Sequence, residues 1–155
     1  MGVVATLIGT VGLFACVLLF VRARTTGPPD TLGVRDGRLA PCPGTPNCVT
    51  SREGAARAGA VLSPLPFTGS LEETHRRLVD VVRGLPRTHL VVVEPRYVRA
   101  ECRSRLFRYV DDVEFQLDEA SATVHFRSAS RVGRGDLGVN KARMQAIAKA
   151  YGAPP

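Results

Sequence analysis

The chain of 155 residues has no tryptophan, only three histidines and only four cysteines. The histidines, His75, His89 and His125, do not have the spacing of metal ligands, and Cys42 and Cys48 lack the second ligand pair that a zinc site needs. No nucleophile with an adjacent base is evident. We therefore expect no metal and no cofactor. We also expect a protein without catalytic activity rather than an enzyme.

Residues 2–21 contain no charged side chain and consist almost entirely of apolar residues and glycine. Twenty residues in a helix extend about 30 Å, which matches the hydrocarbon core of a bilayer. The alternative is a cleaved signal peptide, which would need a basic start and a small-residue cleavage site. Because neither is present, the run predicts one N-terminal transmembrane helix that anchors the chain.

Two signals disagree about which side of the membrane the rest of the chain occupies. Arg22 and Arg24 follow the apolar run, and positive charge favours the cytoplasmic side. Cys42 and Cys48 lie in a loop rich in proline and glycine, where a disulfide would indicate an oxidising compartment. Free thiols or a metal are the alternatives for this pair. We expect the domain on the extracytoplasmic side of the membrane, and the cytoplasmic orientation is left open.

Basic residues outnumber acidic residues by 21 to 14, and only two of the basic residues are lysine. Arginine binds carboxylates and phosphates through two parallel hydrogen bonds. Aromatic residues are few, and no basic helix or nucleic-acid-binding motif accompanies the charge. The excess therefore indicates anionic lipid headgroups or an anionic ligand as partners, and not nucleic acid.

Hydrophobic periodicity divides the remaining chain into a tether, residues 22–38, and a single α+β domain, residues 39–151. Ser70 and Glu73 form a capping box that starts a helix, which Gly84 and Pro86 end. Alternating segments then predict an antiparallel meander of four strands, and a second helix follows. The strands are expected at 89–93, 97–102, 105–117 and 122–128, and the last helix at 138–151.

Several polar residues fall on the side of their element that should face the core. If Leu117 pairs with Ala122, Asp111 shares the inward face with apolar neighbours and lies opposite Ser128, while Glu114 and Asp112 face outward. Arg143 falls within the apolar stripe of the last helix, expected at 139, 142, 146, 147 and 150. These placements predict a polar cluster of Asp111, Asp112, Ser128, Ser130, Arg131, Asp136, Asn140 and Arg143.

The predicted cluster has two interpretations. It could be a buried ion-pair network, with Arg143 or Arg131 neutralising Asp111, that fixes how the last helix packs on the sheet. Alternatively, Arg131, Arg143 and the start of the last helix could receive an anionic group. Acid–base catalysis by the aspartates is a smaller part of this second interpretation.

Three segments resemble the signature blocks of the family called domain of unknown function 1499: residues 39–51 (LAPCPGTPNCVTS), 107–115 (FRYVDDVEF) and 127–140 (RSASRVGRGDLGVN). The resemblance spans about residues 32–151. It implies no established activity, but it implies an exported domain with a hydrophobic N-terminal segment or a lipoprotein signal. The chain departs from that pattern because it lacks early positive charge.

Three hypotheses follow. The first is a membrane-tethered protein of the bacterial cell envelope that binds an anionic small molecule, a lipid headgroup or a partner through the cluster. The second is a structural or assembly scaffold in which the cluster only fixes the fold. The third is an enzyme acting at the membrane surface with aspartate acid–base groups.

Overall fold

The structure is a computed structural model that describes residues 25–56 and 58–152, together with positions 8, 10–12, 14, 17–18 and 21. Within these residues no helix is both long enough and apolar enough to cross a bilayer. Most of the predicted anchor, residues 2–21, lies outside the described residues. Its described positions are helical and exposed.

Two helices and three of the long strands occupy the places that periodicity predicts. The strand expected at 105–117 begins only at Val110, because residues 104–109 form a loop closed by a hydrogen bond from the Ser104 amide to the Tyr109 carbonyl. Helix α1 spans Leu71–Arg83 and helix α2 spans Val139–Tyr151. The long strands are β6 (Thr88–Glu94), β7 (Tyr97–Arg103), β8 (Val110–Asp118) and β9 (Thr123–Ser130). The short strands are β1 (Val34–Arg35), β2 (Arg38–Leu39), β3 (Cys48–Thr50), β4 (Ala60–Val61) and β5 (Leu65–Pro66). The α+β class is confirmed.

Helix α1 begins with the predicted capping box. The Ser70 hydroxyl accepts a hydrogen bond from the Glu73 amide at 3.2 Å, and the Glu73 carboxylate accepts one from the Ser70 amide at 2.8 Å. These bonds satisfy two amides that would otherwise lack partners in the first turn. The helix then buries Leu78, Val79 and Val82 against the sheet.

The meander β6–β9 is part of a larger sheet, so the prediction of a four-strand sheet is wrong. Seven strands form it in the order β4-β3-β9-β8-β7-β6, with β5 also paired to β9. The neighbours are antiparallel except β3 and β4, which are parallel. Cys48 was expected in a loop rich in proline and glycine, yet it begins β3, which lies between β4 and β9. A strand of three residues is too short to show alternation.

The hairpin between β8 and β9 has a different register from the one expected. Asp118 pairs with Thr123 and Leu117 pairs with Val124, two residues further along than predicted. The Asp118 carboxylate accepts hydrogen bonds from the amides of Ala120 and Ser121, and Ala122 adopts a positive φ of 49°. The turn is therefore residues 119–122. A shift of two residues keeps every side chain on its predicted face.

Helices α1 and α2 cover one face of the sheet, here called the inner face. Its core contains Phe115, Phe126, Val113, Val124 and Leu65, together with residues from both helices. Helix α2 buries Asn140, Met144, Ile147 and Tyr151, while Ala142, Ala146 and Ala150 are exposed. The stripe predicted for α2 was therefore wrong except at Ile147. Small alanines and two inward polar residues leave this helix with almost no amphipathic signal.

Residues 26–43, here called the strap, cover the opposite, outer face of the sheet. The strap contains the β1–β2 hairpin and most of the segment predicted as a tether. The Gly33 amide donates to the Glu114 carboxylate at 2.7 Å, and the Gln116 side chain donates to the Gly37 carbonyl at 2.6 Å. Glu114, expected to face solvent, is consequently fully buried.

Candidate functional site

The polar residues predicted to form one cluster lie on both faces of the sheet. Asp111, Ser128, Ser130, Asp136, Asn140 and Arg143 come together on the inner face and are called the inner cluster. Asp112 and Arg131 point to the outer face, because each is one residue out of phase with Asp111 and Ser130 on its strand. The alternative in which Arg131 neutralises Asp111 is thereby excluded.

Arg143 is the cation of the inner cluster. Its Nη2 donates to Asp111 Oδ2 at 2.6 Å, and its Nη1 donates to Asn140 Oδ1 at 2.6 Å and to Ser128 Oγ at 3.2 Å. The ion pair is nearly buried, with side-chain exposures of 14% for Arg143 and 10% for Asp111. The contact joins α2 to the centre of the sheet.

Asn140 connects the remaining members of the inner cluster. Its amide nitrogen Nδ2 lies within hydrogen-bonding distance of Ser130 Oγ (3.0 Å), Asp136 Oδ2 (2.9 Å) and the Asn47 carbonyl (3.2 Å). Its Oδ1 accepts from Ser128 Oγ at 2.5 Å. A completely buried amide with these partners leaves no polar atom of its side chain unsatisfied.

Asp136 caps the start of helix α2 with its carboxylate. Its Oδ2 accepts from the Asn140 backbone amide at 2.7 Å and its Oδ1 accepts from the Gly138 amide at 3.0 Å. Burial acts to raise the pKa of Asp136, but the hydrogen bonds from Asn140 and Gly138 outweigh burial and lower the pKa. Asp136 is therefore a carboxylate at neutral pH and occupies the start of the helix, where an external anion was predicted to bind.

Cys42 and Cys48 form a disulfide, which confirms the predicted pair. The loop that it closes places Asn47 against the inner cluster. The Asn47 carbonyl accepts from the Ser130 amide at 3.1 Å, and its side chain donates to the Gly133 carbonyl at 2.9 Å. Sequence reasoning did not select Asn47, although it belongs to the same block as both cysteines.

The outer face carries a second ionic network, which sequence reasoning missed. Arg131 donates to both oxygens of Asp112, at 2.7 and 2.8 Å, and to Glu101 at 2.5 Å. Burial acts to raise the pKa of Glu101, but the Arg131 guanidinium bound to it outweighs burial and lowers the pKa. Arg99 also contacts Asp112, at 3.1 Å. Two carboxylates thus hold the guanidinium of Arg131.

Glu114 and Arg127 form a separate buried ion pair beneath the strap. Arg127 Nη2 lies 2.6 Å from Glu114 Oε2, and the Tyr97 hydroxyl donates to Glu114 Oε1 at 2.8 Å. Burial, followed by the negative charge of Glu114, raises the pKa of Tyr97. Cross-strand alternation could have identified this pair, because with the correct register Glu114 lies directly opposite Arg127.

A cleft of about 700 Å³ opens next to the inner cluster, between the loop 104–109 and the loop 131–138. Asp111, Ser130 and Asp136 line it and supply oxygen atoms. Tyr109, Val132, Leu137 and Val139 supply apolar surface, and Arg134 supplies a positive charge. Ser128, Asn140 and Arg143 do not line the cleft. A concavity of about 800 Å³ around 94–97 and 116–120 contains no member of the cluster.

Within the described residues, no group of histidine, cysteine or acidic side chains could hold a metal ion. The family model for a protein of unknown function, DUF1499, matches residues 38–151. No curated protein matches the chain, and no solved structure matches it.

Proposed function

Because the chain belongs to this family, whose description assigns no activity, we propose a function from the site itself: a membrane-tethered protein of the cell envelope that binds an anionic amphiphile in the cleft. The observation that carries the proposal is the composition of the cleft. Apolar side chains of Val132, Leu137 and Val139 lie beside oxygen atoms of the inner cluster and beside Arg134. Such a mixture suits a ligand with an apolar chain and a polar head.

The charge that attracts the ligand differs from the one expected. Arg143 and Arg131 are each paired with carboxylates of the protein, and Asp136 occupies the start of α2. Arg134 is exposed and, among the described residues, forms no ion pair. We therefore assign the anionic head to Arg134 and the support of the cleft to the inner cluster.

Photocrosslinking tests this proposal. The full chain in nanodiscs is irradiated with a diazirine-bearing fatty acid, and the adducts are mapped by mass spectrometry. We expect saturable adducts at 104–109 and 131–139 that unlabelled fatty acid removes. Arg134→Gln should reduce the adducts several-fold, while Arg96→Gln, at the opposite end of the sheet, should not. Adducts spread evenly along the chain would contradict the proposal.

A cleft-filling variant separates binding in the cleft from general contact with lipid. The space around Gly135 is open, since a Cβ there would meet no atom within 4 Å. Gly135→Phe should therefore fold and abolish the saturable adducts, and Gly44→Phe, with equally open surroundings, should retain them. Saturable labelling that persists in Gly135→Phe would exclude the cleft as the binding site.

One observation favours the scaffold as a second candidate function. Every charged group of the inner cluster has a partner within the protein. A scaffold predicts that the domain unfolds more easily when the cluster is broken, and that no amphiphile labels the cleft saturably. No comparable observation favours an enzyme, because each aspartate of the cluster is held by arginine or by amides.

A further inference from the structure

Exposed apolar side chains gather at one end of the sheet, here called the open end. The open end consists of the loop 104–109, which joins β7 to β8, and the loop 131–138, which follows β9. Leu106 is 75% exposed and Leu137 is fully exposed. Phe107 and Val139 are exposed beside them. Isolated apolar residues on a surface are ordinary, but three on two neighbouring loops, with a fourth at the first residue of α2, mark an interaction site.

The backbone of both loops holds this surface outward. Leu137 has a φ of 54° and Arg108 has a φ of 61°. Left-handed backbone is unfavourable for bulky residues, so it persists only where the surrounding structure imposes it. The loop 104–109 is closed by two hydrogen bonds between Ser104 and Tyr109, both 2.9 Å long. The fixed conformation of these loops therefore keeps the apolar side chains on the surface.

The open end is also positively charged. Arg105, Arg108 and Arg134 lie on these two loops, and all three are exposed. None of them forms an ion pair with the residues that the structure describes, in contrast to the arginines of the two buried networks. Asp136, the acidic residue of these loops, is turned towards the amides of α2. Each basic residue near an anionic bilayer contributes about 1 kcal/mol to binding.

The N-terminal part of the chain reaches the domain at the same end. Arg131 Nη1 donates to the Thr26 carbonyl at 3.4 Å, at the start of the loop 131–138. Thr25 is helical, and its hydroxyl donates to the Val21 carbonyl at 3.0 Å. Four residues, 22–25, therefore lie between this contact and the end of the apolar run 2–21.

From these observations we infer that the open end docks on the surface of an anionic bilayer, with Leu106, Phe107, Leu137 and Val139 inserted among the headgroups and the three arginines on lipid phosphates. The inference rests on the membrane anchoring of the proposed function, because the anchor would hold this end beside the bilayer. It also turns the mouth of the cleft towards lipid, from which an amphiphile could enter.

Single tryptophans report on this docking without background, because the sequence contains none. Leu106→Trp and Leu137→Trp are placed separately in the full chain, with Val93→Trp as the control. Val93 is also exposed, but it lies next to the β6–β7 turn at the opposite end of the sheet. Each variant is incorporated into nanodiscs with phosphatidylglycerol and doxyl-labelled lipid, and tryptophan quenching is measured.

We expect at least twofold stronger quenching at positions 106 and 137 than at 93, together with a blue shift of emission. Replacing Arg105, Arg108 and Arg134 by glutamine should reduce the quenching in anionic discs. Equal quenching at the three positions would overturn the inference. Quenching unchanged by the arginine replacements would overturn its electrostatic part.

Co-elution with the nanodiscs distinguishes failure of docking from failure of anchoring. A chain that co-elutes without selective quenching is anchored but not docked. A chain that does not co-elute, but is quenched at 106 and 137 when anionic vesicles are added, docks without an anchor. If the chain shows no co-elution and no selective quenching, the docking and the anchoring are both overturned.

Discussion

At the scale of single residues, the protein is organised by buried ion pairs on both faces of one sheet. Each pair joins one carboxylate to one arginine: Glu114 to Arg127 on the outer face, and Asp111 to Arg143 on the inner face. A buried pair adds little net stability, because desolvation offsets the attraction between the charges. Removing one partner is costly, however, since it leaves the other charge buried and unpaired.

Arg143→Ala should lower the free energy of unfolding by about 3 kcal/mol, near the lower end of the range for a broken buried pair. The reason is that Asp111 loses the one cation with which it pairs among the described residues, while it remains nearly buried. Denaturant unfolding of the full chain in micelles measures the loss. Arg83→Ala is the matched control and should cost at most about 1 kcal/mol, because its pair with Asp80 is exposed.

Restoring charge balance should recover part of that loss. Asp111→Asn combined with Arg143→Ala should be more stable than Arg143→Ala alone, since no unpaired charge is then buried. An Arg143→Ala variant as stable as the control would show that Asp111 is hydrated in the folded state.

At the scale of elements, the disulfide loop links the strap, β3 and the loop 131–138. Cys42 lies near the end of the strap, and Cys48 begins β3 beside β9. Asn47, between them, bonds to Ser130 and Gly133 at the edge of the cleft. The disulfide therefore stabilises the wall of the cleft as well as the strap.

Replacing Cys42 and Cys48 together by serine should lower the free energy of unfolding by about 2 kcal/mol, the chain-entropy value for a loop this short. Hydrogen exchange should also become faster at the Ser130 amide, which donates to Asn47. The Glu73 amide in α1 serves as the control, because its hydrogen bond lies far from the loop. Unchanged exchange at Ser130 would show that Asn47 holds its position without the disulfide.

At the scale of the whole molecule, the strap converts the outer face of the sheet into an interior. Glu114 and Arg127 receive backbone hydrogen-bonding partners from residues that are 81 and 96 positions away in sequence. The polar outer side of β8 would face water in a two-layer domain. Here it lies between the sheet and the strap.

Gly33→Ala should destabilise this contact by about 1 kcal/mol. Gly33 has a φ of 98°, which an alanine adopts only with strain, and its amide donates to Glu114. Gly44→Ala is the control, because its φ is not positive and its surroundings are open. Denaturant unfolding and hydrogen exchange of residues 31–39 measure the change. Equal stability of the two variants would show that the strap contributes little to folding.

The sequence alone determined which residues form the long elements, apart from residues 105–109, and which face each side chain of β8 and β9 occupies. The capping box of α1 and the alternation of β8 and β9 depend on neighbours a few residues away, so they are visible in the chain itself. The pairing of Cys42 with Cys48 and the cap that Asp136 gives to α2 are local for the same reason. The family was evident from its three blocks.

Only the tertiary structure decided which polar residues meet. Periodicity predicts on which side of an element a residue lies, but not what covers that side. Glu114 was therefore expected to face solvent, although it is buried in an ion pair with Arg127. Strands of two or three residues have no period, which hid β3, β4 and β5. Alternation already placed Asp112 on the outer face, but its partners there, Arg131 and Arg99, became evident only from the folded backbone, because contacts between remote segments depend on it.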